Sequence, residues 1–156
     1  MSPSSVGAPQ RILVADDDPV VRHLVASVVR RAGYAPVTVE DGREAVRILQ
    51  SDAGFGAAIF DMMMPHLEGI DIIRHMRTEK RLMRIPVIMM TSETELKLMK
   101  DSFEAGATVF LPKPFTALQL QFSLSMLLSK SSRTGRPSTK ASGAFGARTP
   151  PGKGLA

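Results

Sequence analysis

Cysteine and tryptophan are absent from this chain of 156 residues, and tyrosine occurs once. The lack of cysteine excludes disulfide bonds, thiolate metal sites and a cysteine nucleophile, and it is compatible with the cytoplasm. The longest apolar runs have the length of a β-strand, too short to span a bilayer. Residues 1–10 lack both a basic start and an apolar core, so we expect no secretory signal and a cytoplasmic protein.

Acidic residues are also absent from one whole region, the last 27 residues. Residues 1–129 carry 14 basic and 15 acidic side chains, so they are close to neutral. The net charge of +5 therefore comes from six basic residues after position 129: Lys130, Arg133, Arg136, Lys140, Arg148 and Lys153. This segment is rich in Ser, Gly and Pro and contains too little apolar surface to offset the entropy of ordering. We predict a disordered lead at 1–10, a folded domain at 11–129 and a disordered basic tail at 130–156.

Between these ends, strand and helix signals alternate along the chain. Strands are predicted at about 11–15, 35–39, 57–61, 86–91 and 108–111. Helices are predicted at about 19–32, 67–78, 94–105 and 116–129, and a further helix after Asp41 is predicted to pack through Ala45, Val46 and Leu49. Asp18 and Asp41 are predicted helix caps, and Gly33 a helix stop. The last helix is predicted to pack through Leu118, Phe122, Leu124, Met126 and Leu127. Five βα units predict an α/β fold, a flavodoxin-like doubly wound parallel sheet in the order 2-1-3-4-5.

Reactive side chains stand where four of these strands end. Asp16 and Asp17 follow the first strand, Asp61 closes the third, Thr91 closes the fourth and Lys113 follows the fifth. Ligands of open α/β sheets bind beyond the carboxyl ends of the strands, so we expect these groups to meet in one crevice. Carboxylates can hold a hard cation, and a hydroxyl and an ammonium can bind an anion, a combination that suits phosphoryl transfer.

Four segments of the chain resemble the receiver (CheY-like) domains of two-component response regulators. They are residues 11–19 (RILVADDDP), 59–65 (IFDMMMP), 88–91 (IMMT) and 113–115 (KPF). The resemblance covers about residues 10–129, with the motifs in the expected order and spacing, and it indicates a stand-alone receiver. It implies that Asp61 accepts a phosphoryl group from a histidine kinase or a histidine phosphotransfer protein. It also implies a signalling protein rather than an enzyme, and a cis Lys113–Pro114 bond.

The resemblance further assigns roles to individual residues. Mg²⁺ is expected at Asp16, Asp17, Asp61 and the carbonyl of Met63, while Thr91 and Lys113 are expected to bind the phosphoryl oxygens. Phe110 is expected to act as an aromatic switch, and the alternative is that it is simply a core aromatic residue. Met63 and Glu93 are expected to set the phosphoryl lifetime. The face made by the helix at 94–105, the fifth strand and the last helix is expected to contact a downstream protein.

Two other functions remain open at this point. The segment from Asp16 to Val20 fits the short nucleophile motif of haloacid dehalogenase-type phosphatases, in which Asp16 would attack, but no acidic residue follows Glu104 to complete their metal site. The basic tail could bind nucleic acid through its charge, although it lacks interleaved aromatic residues. His23, His66 and His75 lack the spacing of a metal site.

Overall fold

A computed structural model of the chain describes residues 8–92 and 109–132. Its strands form one five-stranded sheet in the order β2-β1-β3-β4-β5, and the paired strands are parallel. The predicted flavodoxin-like sheet order is therefore confirmed. The strands are β1 (Arg11–Ala15), β2 (Ala35–Val39), β3 (Phe55–Asp61), β4 (Val87–Thr91) and β5 (Val109–Pro112).

The described helices follow the predicted order, with one addition. They are α1 (Pro19–Arg31), α2 (Gly42–Ser51), α3 (Gly69–Met76), α4 (Lys80–Met83) and α5 (Ala117–Ser132). The predicted helix at 67–78 is shorter than expected, and the single turn α4 follows it. The predicted helix at 94–105 and most of the predicted tail lie outside the described residues. Within those residues, no helix has both the length and the apolarity that crossing a membrane requires.

The sheet separates two apolar cores. On one side, α2 and α3 pack against alternate strand residues such as Leu13, Phe60 and Met89. On the other side, α1 and α5 pack against the intervening residues such as Ile12 and Ile59. Because side chains of a strand alternate between the two faces, strands covered on both faces are apolar throughout. This explains why β1, β3 and β4 are continuous apolar runs.

The ends of α1 are fixed as the sequence predicts. The Asp18 carboxylate accepts a 2.9 Å hydrogen bond from the N–H of Val20, and Pro19 occupies the first turn, where its missing N–H costs nothing. At the other end, Gly33 adopts φ = 96°, which is favourable only for glycine and a few polar residues. Tyr34 then donates its N–H to the carbonyl of Val29, which completes a Schellman motif.

The packing predicted for α5 is wrong at three positions. Leu118, Phe122 and Met126 are 72%, 66% and 47% exposed. The buried residues of this helix are Leu120, Leu124, Leu127 and Leu128. The helix is apolar on opposite sides, so its periodicity alone does not indicate which side faces the core.

Candidate phosphoacceptor site

Three polar side chains are buried at the carboxyl ends of the central strands. Asp16, Asp61 and Thr91 are 0%, 5% and 0% exposed, and they are the only buried polar or charged residues among those described. β1, β3 and β4 are neighbours in the sheet, so their carboxyl ends open into the same crevice. The predicted convergence of strand-end residues is therefore present in the structure.

Carboxylates form the centre of this crevice. Oxygen atoms of Asp16, Asp17 and Asp61 all lie within 4.8 Å of one another. Asp17 is exposed and faces solvent, while Asp16 and Asp61 are buried. Three carboxylates so close together repel one another unless a cation shares their space.

One ammonium group faces the cluster from β5. The Lys113 Nζ lies 2.9 Å from Asp61 Oδ1 and 4.0 Å from Asp16 Oδ2. Lys113 follows β5, and its backbone N–H donates a 2.6 Å hydrogen bond to the carbonyl of Thr91 at the end of β4. The backbone of Lys113 is thus bonded to the end of β4, while its side chain reaches Asp61 at the end of β3.

The two carboxylate oxygens of Asp16 have different environments. Oδ1 accepts a 2.8 Å hydrogen bond from the N–H of Asp18, whereas Oδ2 is buried and, among the described residues, has no hydrogen-bond partner. Burial raises the pKa of the Asp16 carboxyl to about 6. The nearby charges of Asp61 and Asp17 add to this rise, while the Asp18 N–H and the Lys113 ammonium oppose it. A buried carboxylate oxygen without a hydrogen-bond partner is well suited to bind a cation or a water of its hydration shell.

Arg22 is a residue of this site that the sequence reasoning did not identify. Its guanidinium donates a 2.8 Å hydrogen bond to the backbone carbonyl of Asp16, and its side chain is only 20% exposed. Its own backbone N–H donates to the carbonyl of Asp18, the residue that caps α1. These bonds fix the backbone of the acidic loop to the first turns of α1. The sequence shows an arginine in the first turn of the predicted helix, close to the acidic loop. It does not show that the guanidinium of this arginine binds the carbonyl of Asp16.

Thr91 and the peptide bond after Lys113 complete the group of residues at the strand ends. The Thr91 hydroxyl donates to the carbonyl of Ser92 at 3.2 Å. The peptide bond between Lys113 and Pro114 is cis, as the resemblance implied.

The loop after Asp61 is held close to the strand by a glycine. Gly69 begins α3, and its N–H donates a 3.0 Å hydrogen bond to the carbonyl of Met62. A Cβ at position 69 would lie 2.5 Å from the Asp61 carbonyl oxygen and 2.8 Å from the sulfur of Met89. Only glycine permits this approach, so the start of α3 is in direct contact with the backbone of the buried aspartate.

The remaining predicted site residues lie around the crevice or outside the described residues. Met63 is 49% exposed on the loop after β3. Phe110 in β5 is partly buried and packs against the core on the α2–α3 side. Glu93 lies outside the described residues. Asp18 caps α1, in agreement with its predicted role as a cap.

Comparison with known proteins identifies the family. The profile of the response regulator receiver domain matches residues 12–124. This chain belongs to the response regulator receiver family. A curated relative, the response regulator MprA of Mycolicibacterium vanbaalenii, is 34% identical to this receiver over 120 residues, which cover 77% of this chain and 51% of MprA. The two-component response regulator ORR11 of Oryza sativa is 32% identical over 108 residues, covering 69% of this chain and 74% of that protein.

Solved structures resemble this receiver over the same region. The chemotaxis response regulator CheY4 of Vibrio cholerae superposes with a TM-score of 0.72 at 30% identity, covering 78% of this chain and all of that one (100%). The receiver domain of a sensor histidine kinase from Pseudomonas aeruginosa superposes with a TM-score of 0.71 at 30% identity, covering 78% and 99%. That structure has a magnesium ion coordinated in its active site cleft. The family assignment decides between the receiver and the phosphatase families that the sequence left open.

Proposed function

We propose that this receiver takes a phosphoryl group onto Asp61 from a sensor histidine kinase or a histidine phosphotransfer protein. The observation that carries the proposal is the position of the Lys113 ammonium, 2.9 Å from the buried Asp61 carboxylate and beside the carboxylates of Asp16 and Asp17. In the transfer, an Asp61 oxygen forms a bond to phosphorus, the bond from phosphorus to the donor histidine nitrogen breaks, and that nitrogen keeps the electron pair.

The charges around Asp61 fit this transfer. Phosphoryl transfer depends mainly on positioning and on neutralising the phosphoryl oxygens. Lys113, whose ammonium lies 2.9 Å from Asp61, would pair with one of these oxygens, and the hydroxyl of Thr91 would donate to another. Both groups stand on strand ends within the sheet, so their positions are set before the donor arrives.

Mg²⁺ is the proposed cofactor of this site. Its ligands would be Asp16, Asp17, Asp61 and the carbonyl of Met63. The buried Asp16 oxygen that has no hydrogen-bond partner among the described residues supports a cation there. Mg²⁺ prefers oxygen ligands and keeps several waters, which suits a half-open carboxylate cluster. When bound, the ion supplies positive charge to the phosphoryl oxygens. The residues themselves hold the cluster together: Arg22 and the Asp18 N–H fix the loop that carries Asp16.

Phosphorylation is proposed to change a protein-interaction face. The added charge at Asp61 draws the Thr91 hydroxyl inward and lets Phe110 rotate, which alters the face formed by residues 94–105, β5 and α5. A downstream protein would bind this face, and Met63 and Glu93 would set how fast water removes the phosphoryl group. In this proposal the chain is a cytoplasmic signalling protein that catalyses only its own phosphorylation and dephosphorylation, with the receiver at 11–129.

Phosphorylation by a small-molecule donor tests the assignment of Asp61. Incubation with acetyl phosphate and Mg²⁺ is expected to add about 80 Da to the intact protein, the mass of one phosphoryl group. Asp61→Asn is expected to abolish the adduct, while Asp52→Asn, a matched change at the other end of the sheet, is expected to retain it. Borohydride reduction of the acyl phosphate followed by peptide mapping locates the modified residue. A label on Asp16, or an adduct that persists in Asp61→Asn, contradicts the proposal.

A further inference from the structure

The charged side chains of this receiver are separated between the two ends of the sheet. The helices of βα units run back along the sheet, so the ends of α1 and α2, residues 77–84 and the strand starts all lie at the amino end. Among the described side chains, this end carries two acidic residues and seven basic ones: Asp52 and Glu79, against Arg11, Arg30, Arg31, Arg77, Lys80, Arg81 and Arg84. The carboxyl end has the opposite excess, because it holds the carboxylate cluster and the acidic first turns of α2 and α3.

Five of these basic residues make up a surface that we call the basic end face: Arg30, Arg31, Arg77, Lys80 and Arg84. All five are exposed. The two acids of this end are bound to other arginines, Asp52 to Arg11 at 2.8 Å and Glu79 to Arg81 at 3.1 Å. Within the part of the chain that the structure describes, none of the five forms an ion pair. The basic end face therefore presents five uncompensated positive charges to solvent.

An open cleft lies in the basic end face. Gln10 before β1, Gly54 and Gly56 at the start of β3, and Arg84 before β4 line a cavity of about 230 Å³. A water molecule takes up about 30 Å³ in the liquid, so the cavity has room for a phosphate group. Gln10 and Arg84 are the residues with polar side chains along its wall, and both an amide and a guanidinium donate hydrogen bonds to phosphate oxygens.

The sequence adds further positive charge beside this face. α5 follows β5 and packs against α1, so it runs back along the sheet and ends at Ser132, at the amino end. The chain after position 129 contains six basic residues and no acidic one. The basic segment therefore begins at the basic end of the fold. Basic residues collected on one side of a domain are the electrostatic feature expected of a protein that binds nucleic acid.

The chemistry of the basic end face favours the phosphates of a nucleic acid duplex. Four of its five residues are arginines, whose guanidinium groups bind phosphate oxygens in pairs. Binding to a membrane surface usually adds apolar side chains that enter the bilayer, and Met83 is the only large apolar residue exposed at this end of the described structure. Binding to single strands relies on aromatic side chains that stack on bases, and the described residues of this end include no exposed aromatic side chain.

We propose that the basic end face and the basic segment after position 129 bind duplex nucleic acid through its phosphate backbone, without sequence preference. A phosphate group would enter the cleft beside Arg84. The same polyanion repels the acidic carboxyl end, so the phosphoacceptor site would point away from the duplex. The inference goes beyond the proposed function and does not depend on phosphorylation of Asp61.

Fluorescence anisotropy of a labelled DNA duplex of random sequence, titrated with the full chain, measures this binding. At physiological salt we expect a dissociation constant between about 1 and about 100 µM, the range of non-specific binding. The logarithm of the association constant is expected to fall linearly with the logarithm of the salt concentration, with a slope of about 0.9 for each phosphate contact. Joint replacement Arg77→Gln and Arg84→Gln is expected to weaken binding at least tenfold and to lower this slope by about 2.

A matched pair of arginines on α2 provides the control. Arg43→Gln with Arg47→Gln removes the same charge from exposed positions in the first two turns of α2, away from the amino end. This variant is expected to bind the duplex within twofold of the wild type. Arg84→Lys is expected to bind more tightly than Arg84→Gln, since it keeps the charge. Circular dichroism checks that each variant is folded.

Nuclear magnetic resonance of the ¹⁵N-labelled full chain locates the contact. Addition of the duplex is expected to shift the amide signals of Gly54, Gly56 and residues 77–84, and to leave those of Asp16 and Asp17 in place. Asp61→Asn is expected to bind the duplex like the wild type, so a failure of the proposed phosphorylation and a failure of this inference are distinguishable.

Four outcomes overturn the inference. The first is the absence of duplex binding even at low salt. The second is equal weakening by the α2 variant and the end-face variant, which shows that only the net charge matters. The third is normal binding by the end-face variant together with loss of binding when the basic residues after position 129 are replaced by Gln, which shows that this segment acts alone. The fourth is tighter binding to vesicles that contain phosphatidylserine than to the duplex at the same salt, which shows that a lipid surface is the partner.

Discussion

Two ion pairs lie at opposite ends of the same sheet, and they differ in how completely their carboxylates are satisfied. At the amino end, the Arg11 guanidinium donates two 2.8 Å hydrogen bonds to both oxygens of Asp52, and the N–H of Gly54 adds a third. At the carboxyl end, one ammonium of Lys113 faces three carboxylates, and a buried oxygen of Asp16 has no hydrogen-bond partner in the described part of the chain.

Because of this difference, the pKa values of the Asp52 and Asp16 carboxyl groups shift in opposite directions. The hydrogen bonds from Arg11 and Gly54 lower the pKa of the Asp52 carboxyl to about 2, while burial raises the pKa of the Asp16 carboxyl to about 6. The pair at the amino end is complete without a ligand, and the guanidinium also stacks over the Phe55 ring at 4.4 Å. The cluster at the carboxyl end has an excess of negative charge, which favours the binding of a cation.

The largest expected effect is a gain in stability from Asp16→Asn in metal-free protein. The folded-state pKa of this acid lies above the ordinary value of 3.8, so ionisation opposes folding, and stability falls as the pH rises from about 4 through about 6. A shift of about two units corresponds to roughly 3 kcal/mol. In urea unfolding with EDTA, the free energy of unfolding of Asp16→Asn is expected to exceed that of the wild type by up to roughly 3 kcal/mol at pH 8 and by little at pH 4. Equal gains at the two pH values would falsify this explanation.

Next in size is the loss of cation affinity in Asp17→Asn. Asp17 is exposed, so its removal leaves the fold intact but takes one charge from the cluster. Titration calorimetry with Mg²⁺ is expected to show an affinity at least tenfold lower, a loss of about 1.4 kcal/mol or more. Asp52→Asn is the matched control at the other end of the sheet and is expected to bind Mg²⁺ like the wild type. If the two variants bind alike, the carboxylate cluster is not the cation site.

A smaller effect is expected from Arg22→Gln. Without the guanidinium, the carbonyl of Asp16 loses its 2.8 Å hydrogen bond and the acidic loop becomes less well fixed. We expect Mg²⁺ affinity to fall about threefold, with partial recovery in Arg22→Lys, since a charged donor contributes more than a neutral one. Arg30→Gln, at the exposed end of the same helix, is the control and is expected to bind normally. An unchanged affinity in Arg22→Gln means that the loop holds its shape without this bond.

The smallest effect is expected at the amino end, from Asp52→Asn. Both side chains of the pair are 37% exposed, so solvent screens them and the change is expected to cost less than about 1 kcal/mol. The folded-state pKa of Asp52 is lowered, so the stabilisation is present above about pH 4 and is lost as the pH falls toward 2. The free energies of unfolding of the wild type and of Asp52→Asn, measured between about pH 2 and about pH 7, are expected to converge at the acid end of this range. A difference that stays constant with pH shows that packing, not charge, is involved.

How far the sequence predicts this molecule depends on the range of the interactions involved. The strand-end positions of Asp16, Asp61, Thr91 and Lys113 follow from a general rule about parallel sheets, so the site could be predicted once the strands were placed. The helix caps Asp18 and Asp41 could also be predicted, because each bonds to a residue only two or three positions away in the sequence. The predicted start of β3 is two residues late, because Gly56, the second residue of the strand, is of a type that is unusual inside strands.

Contacts between distant side chains were not predictable in this way. The Arg11–Asp52 pair spans 41 residues of sequence, and the bond from Arg22 to the Asp16 carbonyl depends on a side-chain conformation. The exposure of Phe122 was missed for a different reason. Because α5 is apolar on opposite sides, the pattern of apolar residues fits two orientations, and only packing against α1, β3 and β5 selects one.

The missing side chain at Gly69 has a mechanical consequence. A Cβ at this position would lie 2.5 Å from the carbonyl oxygen of Asp61, so there is no room for a side chain between the start of α3 and the end of β3. A shift of this strand end must therefore push directly on the first turn of α3, without a side chain to absorb the movement. The end of β3 is thus tightly packed against the layer formed by α2 and α3, on the side of the sheet opposite to α5.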